Sequence, residues 1–391
     1  MSEILLAAKD VVGSLNKNLL FQAPVDEQET EKLSQTFLAK LPFLGIFPSP
    51  AEGIVDAILG KGDWQTSPLP GLSGDKAIGI YKGEEFLYLL KFTNPHWHLA
   101  KELYAIHQFQ ALGLQESDMP QMVTAGTYRL TEKDEIRSFF IQTAVKGKPL
   151  SRLLEELGSS PGSGRQQKLK LLKDAVQKVT TAFVELHQKK RSLALPVPKE
   201  LSNYHLNMFR ILASRFKYEV LDKEKIDLSL EEFGILKQRL TRSAMTDNWG
   251  MTSFTHGDSH VEHLFFDPTL ETVSLIDLSS FIFSINEKEE PVGFAPHDFS
   301  WIWCTIAYYG IRFGVTEEEI ESLLTLLTET YETKMGEDLN PLAVRQLSIA
   351  IKLLGLLIIA FGLKNSAPLA PQEEERVQKV ISYLTKRFKQ L

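Results

Sequence analysis

Three histidines and three aspartates fall within the 22 residues from His256 to Asp277: His256, Asp258, His260, His263, Asp267 and Asp277. Carboxylates accept protons and hold hard cations, whereas neutral imidazoles suit softer divalent metals. Phe254, Leu264 to Phe266, and Val273, Leu275 and Ile276 flank these polar groups. Such apolar runs read as short buried strands, whose ends are places for chemistry. Asp258 and Asp277 are 19 residues apart (277 − 258 = 19), which suits neighbouring strands joined by a turn through Asp267-Pro268. Asp267, just before proline, reads as the turn residue. Taken singly, Asp258 and Asp277 are explained by a capped turn and a surface carboxylate. At the ends of buried strands they also fit a base and a metal ligand. If the segment is extended, residues 256, 258 and 260 share a face. With His263 they would then suit a Zn²⁺ or Fe²⁺ hydrolase, although no second histidine cluster accompanies them.

The elements that must position this cluster are legible on both sides of it. Residues 3 to 41 carry an amphipathic helical pattern with a break at Pro24. Ser49-Pro50-Ala51-Glu52 predicts a helix start, with Ser49 as cap, ending near Gly60. Residues 77–81 and 86–92, separated by Lys82-Gly83-Glu84, predict a β-hairpin. In its second strand Lys91 shares a face with Leu87 and Leu89, and a buried lysine needs an anion. Residues 96–112 predict a helix that carries Glu102, and 121–130 and 136–144 predict two more strands. Residues 159–164 read as a loop. Helices are expected over 151–157, 166–190, 201–221 and 230–245, with four more after His297.

In this order, His256-Gly257-Asp258-x-His260-x-x-His263 followed by Ile276-Asp277 resembles the aminoglycoside phosphotransferase and choline kinase family. The resemblance extends to Lys91, Glu102, the segment from Phe139 to Leu150, Leu186-His187, and Asp298 after His297. It implies an α+β, two-lobe protein-kinase-like fold. A helical extension would occupy 1–64, a small β-rich nucleotide-binding lobe 65–146, and a large helical lobe 147–391. It also implies transfer of the γ-phosphoryl group of ATP (or GTP) to a hydroxyl of a small molecule. Lys91 would bind nucleotide phosphates, Glu102 would hold Lys91, and Ser73 and Gly74 would cover the phosphates. Asp277 would carry Mg²⁺, or Mn²⁺ in its place. Asp258 would take the proton of the acceptor hydroxyl, with His256 supporting the catalytic turn. The acceptor would lie against residues 200–245 and 298–365.

His263 stands where the family carries an asparagine as second metal ligand, and Mg²⁺ prefers oxygen. The same residues therefore also suit a kinase-like protein that binds nucleotide or a partner without turnover. The charged fraction of 24% and apolar fraction of 43% are those of a soluble globular chain. A net charge of −7 gives no basic surface for nucleic acid. A single cysteine, Cys304, is expected as a core thiol in a reducing, cytoplasmic setting. Met1 to Leu6 lack the basic start of a signal peptide. The apolar run 353–363 is too short to span a bilayer, so no membrane segment is expected. Oligomeric state is left open.

Overall fold

The computed structural model describes residues 3–20, 27–69, 76–93, 95–114, 117–223, 226–246, 248–336, 338–366 and 369–391. The chain divides into two compact units. The first comprises Met1–Gly113, Asp118–Lys146 and Ser274–Phe283; the second comprises Leu114–Ser117, Gly147–Val273 and Ser284–Leu391.

The first unit opens with α1 (Glu3–Leu20), α2 (Glu27–Leu38), β1 (Phe43–Ile46) and α3 (Pro50–Leu59). Then come β2 (Trp64–Pro68), β3 (Lys76–Lys82), β4 (Glu85–Thr93) and α4 (Trp97–Ala111). A two-residue β5 (Ser117–Asp118) leads to β6 (Met122–Arg129) and β7 (Arg137–Thr143). Six strands form one sheet in the order β1-β6-β7-β4-β3-β2. The expected hairpin is β3–β4, antiparallel, with Ala77 opposite Lys91. Gly83 takes its turn at φ +63°, a conformation that costs glycine little. Ile54 and Val55 of α3 pack with Ile80, Leu90, Tyr128, Phe139 and Ile141 in a buried cluster on the sheet. Helix α1 packs on α2 and α4, and Ser14 and Thr30 share a 3.0 Å hydroxyl contact between the first two helices.

Helix α3 begins where the Ser49-Pro50 signal predicts, and Gly60 follows its end. Ser49 nevertheless makes no side-chain cap bond, so Pro50 at the first position is the operative part of that signal. Ser73 and Gly74 lie outside the described residues.

The second unit holds β8 (Lys148–Pro149), α5 (Leu150–Gly158), α6 (Ser163–Gln188), α7 (Lys199–Phe216) and α8 (Leu230–Thr246). Strand β9 (Leu264–Asp267) follows, and then β10 (Thr272–Leu275), whose Ser274 and Leu275 already belong to the first unit. The chain closes with α9 (Ala295–Phe313), α10 (Glu317–Lys334), α11 (Leu342–Ser366) and α12 (Pro371–Gln390). Lys148 pairs with Phe266 and Pro149 with Phe265. Gly147 enters this pairing at φ +86°, and a Cβ there would sit 2.2 Å from the Phe266 carbonyl oxygen. Asp267 makes the expected turn: its Oδ1 accepts from the N–H groups of Thr269 at 2.8 Å and Leu270 at 3.2 Å.

Two expectations are corrected here. The loop expected over 159–164 ends early, because α6 starts at Ser163 behind Gly162, whose φ is +62°. The apolar run 353–363 is part of a longer element, because Leu342–Ser366 is one continuous helix whose most apolar 18-residue window has a mean hydropathy of 2.1. That is long enough to cross a membrane by length and composition, and 61% of the most apolar window is buried within the protein. Helix α11 packs against α7, α8, α9 and α12, so its apolar face is used as core. Helix α9 is buried along most of its length, which places Cys304 in the core as expected.

Candidate active site

The segment from His256 to His263 is a loop ahead of β9. Gly257 adopts φ +87°, which a side chain would disfavour. At this bend the backbone N–H groups of His256 and Gly257 both meet the carboxylate of Asp298, in the first turn of α9. The distances are 2.7 Å to Oδ2 and 2.9 Å to Oδ1. Ser259 Oγ donates to Oδ1 at 3.1 Å. His187, in the last turn of α6, donates from Nε2 to Oδ2 at 3.1 Å, and the Tyr331 hydroxyl of α10 reaches His187 Nδ1 at 2.7 Å. A carboxylate only accepts, so the proton of His187 sits on Nε2 and its lone pair faces Tyr331. Burial would push the Asp298 carboxyl up. The His187 hydrogen bond and the electrostatic influence of the His187, His256 and His297 rings together outweigh burial and hold it at about 2. Four donors on one fully buried carboxylate fix the loop from three helices.

The loop presents Asp258 outward, its side chain 37% exposed. Its backbone N–H meets His256 Nδ1 at 3.3 Å, and the His256 ring is fully buried. His263 Nδ1 lies 2.9 Å from the Asp258 carbonyl oxygen. A carbonyl accepts, so Nδ1 carries the proton and Nε2 keeps the lone pair. The Asp258 carboxylate is 3.6 Å from His263 Nδ1 and 3.8 Å from His260 Nε2. The His260 and His263 rings stack at 3.7 Å between centroids. Burial, then the neighbouring His263, pull His260 down to about 4.

In the first unit, Lys91 of β4 pairs across the sheet with Phe140 of β7. Its ammonium is 3.8 Å from Asp277 Oδ1, with Lys91 18% exposed and Asp277 36% exposed. The anion that a buried strand lysine requires is thus supplied, in part, by Asp277. Asp277 follows β10 with φ +58°, a left-handed conformation uncommon for non-glycine residues, though aspartate adopts it more readily than most. Glu102 sits on α4, 4% exposed.

The donor chemistry separates two metal environments. The Asp277 carboxylate, one-third exposed, fits a hard cation such as Mg²⁺. Asp258, His260 and His263 bring one potential ligand atom each within 4.8 Å of one another. That two-nitrogen, one-oxygen set fits Mn²⁺ or Zn²⁺ better than Mg²⁺. His256 does not join it, because its ring is buried and its Nδ1 faces the Asp258 N–H.

No family profile and no curated protein matches the chain. A glucosamine kinase solved with glucosamine, ADP and inorganic phosphate aligns over 86% of this chain and 84% of its own, with a TM-score of 0.54 and 11% identity. The chain has the protein-kinase-like fold. Also similar is a thermostable mutant of an aminoglycoside phosphotransferase in ternary complex with ADP and hygromycin B. It aligns at 11% identity over 86% of this chain and 98% of its own, with a TM-score of 0.48. An aminoglycoside phosphotransferase from Streptomyces rimosus ATCC10970 aligns at 16% identity over 78% and 98%, with a TM-score of 0.45. The kinase-like fold is α+β with two lobes, as the sequence resemblance implies.

Behind the loop of this kinase-like fold, His205, His297 and Lys352 come together, a grouping that no spacing in the sequence shows. His297 Nε2 donates to the Gly257 carbonyl at 3.0 Å, and Lys352 of α11 approaches the same nitrogen at 3.5 Å. The His205 ring lies 6.1 Å from that of His297 and 4.9 Å from that of Phe294. The available signal was Lys352 itself, a charge inside an apolar helix.

Burial, then the charges of His297 and Lys352, pull His205 down to about 3. Burial and Lys352 likewise pull His297 to about 4. Below about pH 6.5 the unfolded chain protonates these rings while the folded protein keeps them neutral. Stability is therefore full above pH 6.5 and falls on acidification, by up to about 1.4 kcal/mol per pH unit for each ring. Urea midpoints from pH 7 to pH 5 should fall steadily, and His205→Asn should make the dependence shallower. An unchanged slope in that variant would show that His205 is not buried neutral.

Proposed function

We propose that the protein is an ATP-dependent phosphotransferase acting on a hydroxyl of a small molecule. The observation that carries this reading is Lys91 held 3.8 Å from Asp277, with Asp277 itself at φ +58°. Lys91 binds nucleotide phosphates and Glu102 holds that lysine. Asp277 holds the metal, which screens phosphate charge when bound. In the second unit Asp258 orients the acceptor hydroxyl and accepts its proton, while His256 supports the turn. Ser73 and Gly74 cover the phosphates, and GTP can stand in for ATP. The ADP and glucosamine of the similar glucosamine kinase structure support a nucleotide and a small hydroxylated acceptor.

Thermal shift with nucleotide tests the reading. Mg²⁺-ATP should raise Tm, by about 2.7 kcal/mol of stability at a hundredfold excess over Kd. Asp277→Asn should remove the metal-dependent part of the shift, and Lys91→Met most of the whole. No shift with ATP or GTP, under either Mg²⁺ or Mn²⁺, would rule the reading out. A shift without ATP consumption would instead favour nucleotide binding without turnover.

A second reading, a hydrolytic metal centre, is favoured by the Asp258–His260–His263 cluster. It requires tightly bound Zn²⁺ in purified protein and an activity lost to chelator, and it leaves the Lys91–Asp277 pair without a role.

A further inference from the structure

Lys352 sits within α11, whose most apolar 24-residue stretch, Leu342–Asn365, contains it. Ile351 and Leu353 beside it are buried. Its ammonium lies 3.9 Å from the centroid of the Trp301 ring and 3.5 Å from His297 Nε2. Neither contact accepts its protons. The indole face attracts a cation without offering a hydrogen-bonding lone pair. His297 Nε2 already donates to the Gly257 carbonyl at 3.0 Å, so in the neutral ring it carries a proton of its own. Among the described residues, no carboxylate lies within salt-bridge distance of this ammonium.

A lysine that merely reached for water would direct its head away from such surroundings. This one lies against Trp301 and His297, all three partly buried. Burial pulls its amine down to about 8, against the opposing influence of Asp258 and Asp298. The ammonium is therefore both partly desolvated and reachable, and an incoming anion would offset the desolvation it bears. The position is close to Asp258. Through His297, Lys352 is two contacts from Gly257, the residue before Asp258. His260, two residues after Asp258, lies 6.3 Å from Trp301 between ring centroids.

We infer that Lys352 binds an anionic group, a carboxylate or a phosphate, carried by the acceptor whose hydroxyl meets Asp258. This deepens the phosphotransferase reading and rests on it. It makes the acceptor a sugar acid, a sugar phosphate or a hydroxy acid, in contrast to a polycation.

Two measurements test it. The first is ATP-dependent ADP release with D-glucose, D-glucosamine, D-glucuronate and D-glucose 6-phosphate as a matched set. An anionic member should be preferred. Lys352→Gln should raise its KM roughly 10- to 100-fold, the worth of one charge-assisted hydrogen bond, with kcat less affected. Lys352→Arg should restore part of the loss. A preference for glucose or glucosamine, or a KM unmoved in Lys352→Gln, overturns the inference.

The second needs no known acceptor. Pyridoxal 5′-phosphate forms an imine with a lysine amine, releasing water, and borohydride reduces the imine to a stable amine. Peptide mapping should find Lys352 labelled faster than by pyridoxal, which lacks the phosphate. Glucuronate, glucose 6-phosphate or inorganic phosphate should protect it, and glucose should not. Labelling indifferent to the phosphate and to these anions overturns the inference, as does protection by Mg²⁺-ATP alone, which would assign Lys352 to the nucleotide. Failure of the phosphotransferase reading looks different, because it abolishes the thermal shift with nucleotide.

Discussion

Asp258→Asn is expected to leave the Mg²⁺-ATP thermal shift intact and to lower kcat by roughly 10²- to 10⁴-fold, the range for loss of a positioned general base. The contacts around Asp258 explain why such a change should be clean. What Asp258 gives the loop comes from its backbone: its N–H meets His256 Nδ1 at 3.3 Å, and its carbonyl oxygen meets His263 Nδ1 at 2.9 Å. Asparagine preserves both. The carboxylate itself is 37% exposed, and its nearest cation-capable neighbours are 3.6 and 3.8 Å away. Its removal should therefore change stability by no more than about 0.5 kcal/mol, as at other partly exposed positions. Turnover measured under saturating nucleotide separates the two effects, because KM for ATP should stay unchanged while kcat falls. Undiminished turnover in Asp258→Asn would remove Asp258 from the chemistry. His263→Asn is the informative companion. It restores an oxygen donor at the position where the resemblance implies one, and so should shift metal preference from Mn²⁺ toward Mg²⁺.

Much of this architecture was legible in the sequence, for identifiable reasons. The β3–β4 hairpin announced itself through alternation around Lys82-Gly83-Glu84, and the four closing helices through proline boundaries. Strands β1 and β2 did not. The first is four residues held between prolines 42 and 48, paired in parallel with β6 across a long chain separation. The second, Trp-Gln-Thr-Ser-Pro, lies at the sheet edge and lacks an apolar pattern. Asp298 was visible as a family-like acid, but its four donors come from residues 187, 256, 257 and 259, and no spacing reveals such a convergence. Lys352 borders the apolar run 353–363 in the sequence, and nothing there shows that the helix extends past it. The helix continues through it, since the flanking side chains fill the core on either side.

Asp298→Ala should destabilise the second unit by about 3–5 kcal/mol, the cost of stripping one partner from a buried charge network. The carboxylate is fully buried and accepts from His187, from two backbone N–H groups and from Ser259. Alanine would leave His187 Nε2–H and the His256 and Gly257 N–H groups without their acceptor, whereas Ser259 Oγ keeps the residue-298 carbonyl at 3.1 Å. Asp298→Asn is the sharper test, because it keeps shape and loses one oxygen. Whichever way the amide turns, its NH₂ faces a donor that cannot accept: either His187 Nε2–H and the His256 N–H, or the Gly257 N–H beside the Ser259 hydroxyl. Activity should fall with stability, since Gly257 would lose the contact that holds its φ of +87° and thereby aims Asp258. The acid limb supplies an independent readout. The folded carboxyl titrates at about 2, below its ordinary 3.8, so its stabilisation is present above pH 4 and lost as pH falls through 2. The shift corresponds to roughly 2 kcal/mol. Wild-type urea midpoints should drop across that interval by more than those of Asp298→Asn, which has no carboxyl to protonate. Equal acid limbs, or an alanine variant as stable as wild type, would mean that the loop is held by something other than this carboxylate.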